Sequence, residues 1–190
     1  MITRKSNESG QALIELALVL PLLAIFSLGI VDVSRAVYDS EVLRNLAGEG
    51  SNLASRGTTL TDTITAVTND SCPSGSCDLN LTTSGCVIVT SVTCSENSQG
   101  QCTGSFAITG QAVSSACNGN TSRVGCGVAS QTCNGLATIP TQVQTVLTTL
   151  PGNTVYATEV FYDYSPITSL GTFLNNSNLL PTHLYSIAYF

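Results

Sequence analysis

Residues 10 to 31 read GQALIELALVLPLLAIFSLGIV, an apolar run in which Glu15 is the one charged residue. A helix of about 22 residues, rising about 1.5 Å per residue, is long enough to cross the hydrocarbon core of a bilayer, which is about 30 Å thick. The run therefore predicts one transmembrane helix near the N-terminus of this 190-residue chain.

The charges that flank the run predict its orientation. Arg4 and Lys5 precede it, whereas Asp32, Asp39 and Glu41 follow it. Because basic residues favour the cytoplasmic side of a membrane, we expect the short leader in the cytoplasm and the remaining residues outside it. A cleaved secretory signal is the rival interpretation, but the apolar region of such a signal is usually only about 7–15 residues long.

Two residues inside the run are unusual for a membrane span. A carboxylate costs roughly 2.5–3.5 kcal/mol at the bilayer centre, so Glu15 indicates a partner that neutralises it, unless it only snorkels from the helix end to the headgroups. Pro21 removes one backbone hydrogen bond, so it predicts either a local kink or a tolerated transmembrane proline.

Several features of the N-terminal segment occur together: a hydrophilic leader ending in Gly10, Glu15 five residues later, Pro21, and the continuation LGIVDVSRAV over residues 28–37. In this combination the segment resembles the TadE-like pseudopilins of the tight-adherence (Flp) type IV pilus system. Leu16 stands where the major Flp pilins carry Tyr, so the resemblance is to a minor pilin or pseudopilin rather than to the main fibre subunit.

The resemblance is specific over residues 9–40, weaker over residues 155–167, and absent from the cysteine-rich middle of the chain. It implies a class III signal peptide that a prepilin peptidase cleaves between Gly10 and Gln11. It also implies that Glu15 meets the new α-amine of Gln11 on a neighbouring subunit during assembly.

The same resemblance implies partners and a location. The partners are other pilin subunits, the prepilin peptidase, the inner-membrane pilus assembly platform and the lipid bilayer. The location is the bacterial inner membrane, crossed once with the head outside the cytoplasm, and the pilus or cell surface after assembly.

The helical pattern continues beyond the apolar run and predicts one helix from Gln11 to Arg56, ended by Gly57. Apolar and small residues recur on one face, namely Val42, Leu43, Leu46, Ala47, Gly50, Leu53 and Ala54. The other positions, among them Glu41, Arg44, Glu49 and Ser51, fall largely outside that face. We expect the apolar face to pack against a globular head.

The rest of the chain predicts an α+β head with an antiparallel sheet, as in type IV pilins. Short helices are predicted over residues 61–69 and 140–150. Alternating, half-buried strands are predicted over residues 86–93, 105–113, 154–164 and 184–189. The expected organisation is a leader (1–10), a transmembrane helix (11–31), an amphipathic extension (32–57) and a cysteine-rich head (58–190).

Eight cysteines are confined to the part of the chain that is predicted to be exported: Cys72, Cys77, Cys86, Cys94, Cys102, Cys117, Cys126 and Cys133. An even number in an exported domain predicts up to four disulfides, although eight cysteines allow 105 pairings. Zinc is the competing interpretation, because the spacing of the first two approaches that of a zinc site. Haem attachment is excluded, because the chain has no Cys-x-x-Cys-His motif.

No catalytic constellation or cofactor motif is recognisable, so we predict neither an enzyme nor a bound metal. His183 is the single histidine, and we expect it at the surface or packed. Glu159 and Asp163 fall on one side of a strand, where a solvated face explains them. The net charge of −6, with Arg123 the sole basic residue after Arg56, disfavours nucleic-acid binding.

Two functions remain open. The first is a minor pilin or pseudopilin that enters or initiates a pilus through its N-terminal helix. The alternative is a permanently anchored envelope protein whose cysteine-rich domain binds a ligand or partner. A secreted enzyme is the least favoured class.

Overall fold

The computed structural model of the protein describes residues 8–72, 79–115, 117, 120–125, 139–149, 154–177 and 180–190. The chain divides into two compact units. The first unit, called the anchor unit below, contains Met1–Val37 and Ser165–Thr182. The second, called the sheet unit, contains Tyr38–Tyr164 and His183–Phe190.

One long helix, α1, runs from Glu8 to Ser55 and confirms the predicted helix to within a few residues. Pro21 lies inside it without ending it. Two residues after the helix, Gly57 has a φ of 92°, which belongs to the left-handed region that favours glycine, and there the chain turns away from the helix. There the Gly57 N–H donates to the carbonyl of Ala54 at 3.1 Å, which satisfies one of the last free carbonyl groups of the helix.

Four shorter helices follow: α2 (Leu60–Asp70), α3 (Leu81–Ser84), α4 (Thr141–Thr149) and α5 (Ser169–Asn176). Helices α2 and α4 confirm the predicted ones, and α2 begins at Thr59, whose hydroxyl accepts a hydrogen bond from the Asp62 N–H. Helices α3 and α5 were not predicted, because each is short and lies in a Ser- and Thr-rich sequence without clear periodicity.

Four strands form the sheet: β1 (Gly85–Glu96), β2 (Cys102–Val113), β3 (Thr154–Asp163) and β4 (His183–Tyr189). Their spatial order is β2-β1-β3-β4, and every neighbouring pair is antiparallel. The predicted strands and the α+β class are confirmed.

The central strands differ from the expected half-buried pattern. Every residue of β1 from Gly85 to Val92 is buried, and β3 is buried from Ala157 to Phe161. The reason is that both faces of the sheet are covered, so the side chains on either face of the central strands are buried. The edge strands β2 and β4 remain partly exposed.

One face of the sheet packs against the C-terminal part of α1 and against α2. Gly50 lies so close to Thr158 of β3 that an added Cβ would be 2.8 Å from the threonine Cγ2. The predicted apolar face of α1 is confirmed, since Leu43, Leu46, Ala47 and Ala54 are buried. Ser51, which was expected outside that face, is fully buried and is therefore a correction.

The opposite face of the sheet packs against α4 and the segment 120–125. Val143 and Leu147 of α4 are fully buried in a cluster with Val92 and Val155 of the central strands. The sheet unit is therefore a three-layer arrangement with helices on both sides of the sheet.

Candidate functional site

The N-terminal part of α1 is an apolar surface with no covering from the described part of the chain. All of its side chains from Gln11 to Leu28 are exposed, including Leu18 at 70% and Phe26 at 61%. This helix is long and apolar enough to cross a membrane, with a mean hydropathy of 2.5 in its most apolar window. Because water solvates such a surface poorly, it needs either lipid or another protein against it.

Glu15 lies on this surface as its single charged side chain. Its Oε1 accepts a hydrogen bond of 3.1 Å from Nε2 of Gln11, one turn earlier on the same helix. The carboxylate keeps free acceptor capacity for a second partner, because a carboxylate accepts about four hydrogen bonds.

Gly10 is exposed, and an added Cβ would meet nothing within 4 Å. A larger side chain would therefore fit at position 10 without a steric clash within this chain. Helix α1 begins at Glu8 and passes through Gly10 without interruption. The roles assigned to Gly10, Gln11 and Glu15 stay predictions, and residues 1–7 of the leader lie outside the described residues.

A second cluster, in the anchor unit, holds α5 against α1. Asp32 is fully buried, and its Oδ1 accepts the N–H groups of Ile167 at 3.1 Å and Thr168 at 3.3 Å. The Thr168 hydroxyl donates to Oδ2 of the same carboxylate. Gly171 allows this approach, since an added Cβ would overlap the Asp32 carboxyl group. The buried Asp32 carboxylate is thus hydrogen-bonded to the residues that precede α5 and holds this helix on α1. These contacts between Asp32, Ile167 and Thr168 are called the Asp32 clasp below.

The third cluster surrounds Glu159 on β3, which is fully buried. Its Oε1 accepts the Arg123 N–H at 2.8 Å and the Tyr185 hydroxyl at 2.9 Å, while the Ser122 hydroxyl donates to Oε2. The Arg123 guanidinium lies 3.9 Å from the centre of the Tyr185 ring. Burial, followed by the Glu159 charge, raises the pKa of Tyr185. The cluster fixes the segment 120–125 to the sheet.

Glu159 corrects the sequence interpretation, which placed it with Asp163 on a solvated face. Asp163 is exposed as expected, and its Oδ1 lies 2.7 Å from Nδ1 of His183, whose side chain is also exposed. His183 therefore lies at the surface, as predicted.

Two disulfides join pairs of cysteines that are both described. Cys86 of β1 pairs with Cys117, with a Cα–Cα distance of 4.6 Å, and Cys94 pairs with Cys102 across the β1–β2 hairpin at 5.5 Å. Cys72 also forms a disulfide, which contradicts the zinc interpretation for this residue. The predicted framework is confirmed for these cysteines, whereas Cys77, Cys126 and Cys133 lie outside the described residues.

The part of the chain that the structure describes contains no group of three or more His, Cys, Asp or Glu side chains able to hold a metal ion. Of the clusters above, only the Glu15 surface contains residues that sequence reasoning had selected. The burial of Asp32, Ser51 and Glu159 was not predicted from the sequence.

The structure combines an exposed, apolar N-terminal helix with a disulfide-linked α+β head. Residues 10–52 match the model of a protein family described as TadE-like protein. The resemblance to TadE-like proteins is thereby confirmed for this segment. Comparison of the chain with curated proteins and with solved structures gives no significant match. The segment that matches this family contains the helix that is long and apolar enough to cross a membrane.

Proposed function

We propose that the protein is a minor pilin or pseudopilin of a Tad (Flp) pilus, stored in the inner membrane, cleaved after Gly10 and assembled through α1. The observation that carries this proposal is the exposed apolar surface of α1, with Glu15 near its start, in the segment that matches the TadE-like family. A structural subunit of this kind has no catalytic role.

Cleavage supplies the chemistry that assembly needs. The new α-amine of Gln11 has an ordinary pKa of about 7.7–8.0 and is therefore largely positive at neutral pH. Glu15 lies about 6 Å along the helix axis from that amine, so the two groups on one helix are a turn apart. A neighbouring helix displaced by about one turn places its ammonium against this carboxylate.

The magnitude of this pair explains its role. At about 4 Å and an effective dielectric constant of 20, the Coulomb attraction is about 4 kcal/mol before desolvation. Desolvation of the two charges offsets most of that gain, so the pair sets the register between subunits more than it adds stability. The uncharged apolar side chains around Glu15 supply the area of contact.

The proposal assigns partners and a location. The helix contacts lipid before assembly and other pilin subunits afterwards, while the prepilin peptidase and the assembly platform act on it in the inner membrane. The head lies outside the cytoplasm, because the basic leader residues favour the cytoplasmic side.

A permanently anchored envelope protein is the second candidate, since an apolar helix alone also fits an anchor. The N-terminus distinguishes the two. Mass spectrometry of membrane-extracted protein should find a mature chain that begins at Gln11, and crosslinking of intact cells should find copies joined through α1 to pilus subunits. An intact Met1 terminus on the membrane-bound protein would support the anchor instead.

A further inference from the structure

The connection between β3 and β4 has an unusual composition and surface. From Ser165 to Thr182 it contains no charged residue and no histidine. Two of its large apolar side chains point away from the protein, with Ile167 exposed at 62% and Phe173 at 65%. An exposed loop between two strands normally carries polar and charged side chains, so this surface requires an explanation.

The position of this connection is set by α1. It belongs to the anchor unit, where Asp32 binds the backbone N–H groups just before α5. Leu170 of α5 lies against Gly29, 3.6 Å from where a Cβ would be. Asp32 is the first residue after the apolar run, and Gly29 lies within it. Helix α5 is therefore held at the outer end of the predicted span.

A groove beside this contact extends the same apolar surface. It has a volume of about 410 Å³ and is lined chiefly by Ile25, Phe26, Gly29, Ile30, Val33 and Leu170. All but the last two of these residues lie in the predicted membrane span. The groove is continuous with the exposed apolar surface of α1 that the proposed function places in lipid, and this continuity favours acyl chains as its occupant.

We propose that α5 is an interfacial membrane anchor. Ile167 and Phe173 insert at the boundary between headgroups and acyl chains on the outer side of the membrane, and acyl chains fill the groove. A helix with one apolar face can lie at that boundary, where its polar Thr and Asn side chains remain hydrated. The inference rests on the membrane span in the proposed function, and it adds a second lipid contact to that span.

The absence of tryptophan from the chain allows a direct test. Phe173→Trp, in the full chain reconstituted into phosphatidylcholine liposomes with brominated acyl chains, should show blue-shifted fluorescence that bromine strongly quenches. Phe26→Trp in the span is the positive control and should be quenched. Phe190→Trp, an exposed residue of the sheet unit, is the negative control and should keep an unquenched, water-like spectrum.

A second change tests whether the Asp32 clasp positions α5. Adding Gly171→Ala to Phe173→Trp pushes the helix from Asp32, so most of the bromine quenching should disappear. Gly48→Ala is the matched control, because an added Cβ there meets nothing within 4 Å. Unchanged quenching in the Gly171→Ala protein would overturn the assigned role of the clasp.

The outcomes separate the inference from the function on which it rests. Quenching of Phe26→Trp without quenching of Phe173→Trp would overturn the interfacial anchor and leave the membrane span intact. Loss of quenching in both would overturn the span as well. A blue shift of Phe173→Trp that depends on protein density and not on bromine would show that a second copy covers α5, which also overturns the inference.

Discussion

The hydroxyl of Ser51 on α1 joins Thr158 of β3 to the neighbouring strand. Its oxygen accepts the Thr158 N–H at 3.0 Å and donates to the Ala188 carbonyl of β4 at 2.8 Å. Thr158 and Ala188 are direct partners in the β3–β4 ladder. A helix side chain thus bridges two strands, and this contact holds the C-terminal part of α1 on the sheet.

Replacement of this hydroxyl should destabilise the sheet unit. Ser51→Ala leaves one buried N–H and one carbonyl without their bridge, which costs about 1–3 kcal/mol. Denaturant unfolding of the detergent-solubilised protein measures the loss, and hydrogen exchange should show faster exchange of the Thr158 amide. Ser55→Ala is the matched control, since the exposed Ser55 hydroxyl donates to the carbonyl of Asn52 on its own helix. Equal stabilities of the two variants would contradict the assigned role of Ser51.

Gly10→Val should block processing, because a branched side chain at the cleavage site clashes where glycine offers only backbone. The leader should stay attached and the protein should remain in the membrane. Ala12→Val, a similar increase in size two residues later, should still be cut. The intact mass of each membrane-extracted protein gives the answer, and a normal mature mass for Gly10→Val would disprove this cleavage site.

Glu15→Ala should separate cleavage from assembly. The variant should be cut normally and inserted as well as the parent or better, because it removes a carboxylate from the apolar run. It should lose association between subunits, since the α-amine of Gln11 on a neighbour is left unpaired. Glu15→Gln keeps the shape without the charge and should fail in the same way.

Crosslinking between subunits and display of pili on cells are the measurements for these Glu15 variants. Glu41→Ala serves as the control, because Glu41 is an exposed glutamate on the same helix, paired with the exposed Arg44 at 3.2 Å. Assembly of both Glu15 variants at the parental level would mean that this carboxylate merely snorkels to the headgroups.

The two disulfides should differ in their contribution to stability. The Cys86–Cys117 bridge closes a sequence separation of 31 residues, and the Cys94–Cys102 bridge closes one of 8. Chain entropy therefore predicts that loss of the longer bridge costs about 1 kcal/mol more. Each pair of cysteines is replaced by alanine, and thermal unfolding without reductant measures the loss of stability in the two variants. A larger loss for the variant without the Cys94–Cys102 bridge would refute the prediction.

Tyr185 should make the sheet unit sensitive to alkali. Burial and the Glu159 charge raise its pKa, so its contribution to stability is fully present below pH 10 and is lost as the pH rises above that value. The slope for one proton is at most about 1.4 kcal/mol per pH unit, and less here because the ring is partly exposed. Tyr185→Phe should be less stable at pH 7 and lose stability more gradually above pH 10, as unfolding measured across the pH range would show. An unchanged slope would contradict the role of Tyr185.

Local patterns were sufficient to predict α1, α2, α4 and all four strands. These elements depend on the repeat of apolar residues and on residues that end a helix, such as Gly57. Both signals are visible within a short stretch of sequence. The full burial of β1 was not predictable in this way, because it depends on helices that cover both faces of the sheet.

The polar clusters were missed for a related reason. Glu159 and its donor Ser122 are 37 residues apart, Ser51 and Thr158 are 107 apart, and Asp32 and Thr168 are 136 apart. A buried acid or serine has no local signature that distinguishes it from a solvated one, since its partners come from distant segments. Glu15 was recognisable because a charge within an apolar run is anomalous by itself.

The place of residues 165–182 between β3 and β4 matters to anyone who wishes to crystallise the head alone. Removal of residues 1–37 would remove Asp32, which binds the segment 165–182, and would leave the apolar residues of that segment facing water. Such a surface promotes aggregation during purification. A soluble version should therefore omit both stretches together. The ladder between the strands ends at the pair Asp163 and His183, so a short hairpin turn placed just beyond that pair could reconnect them.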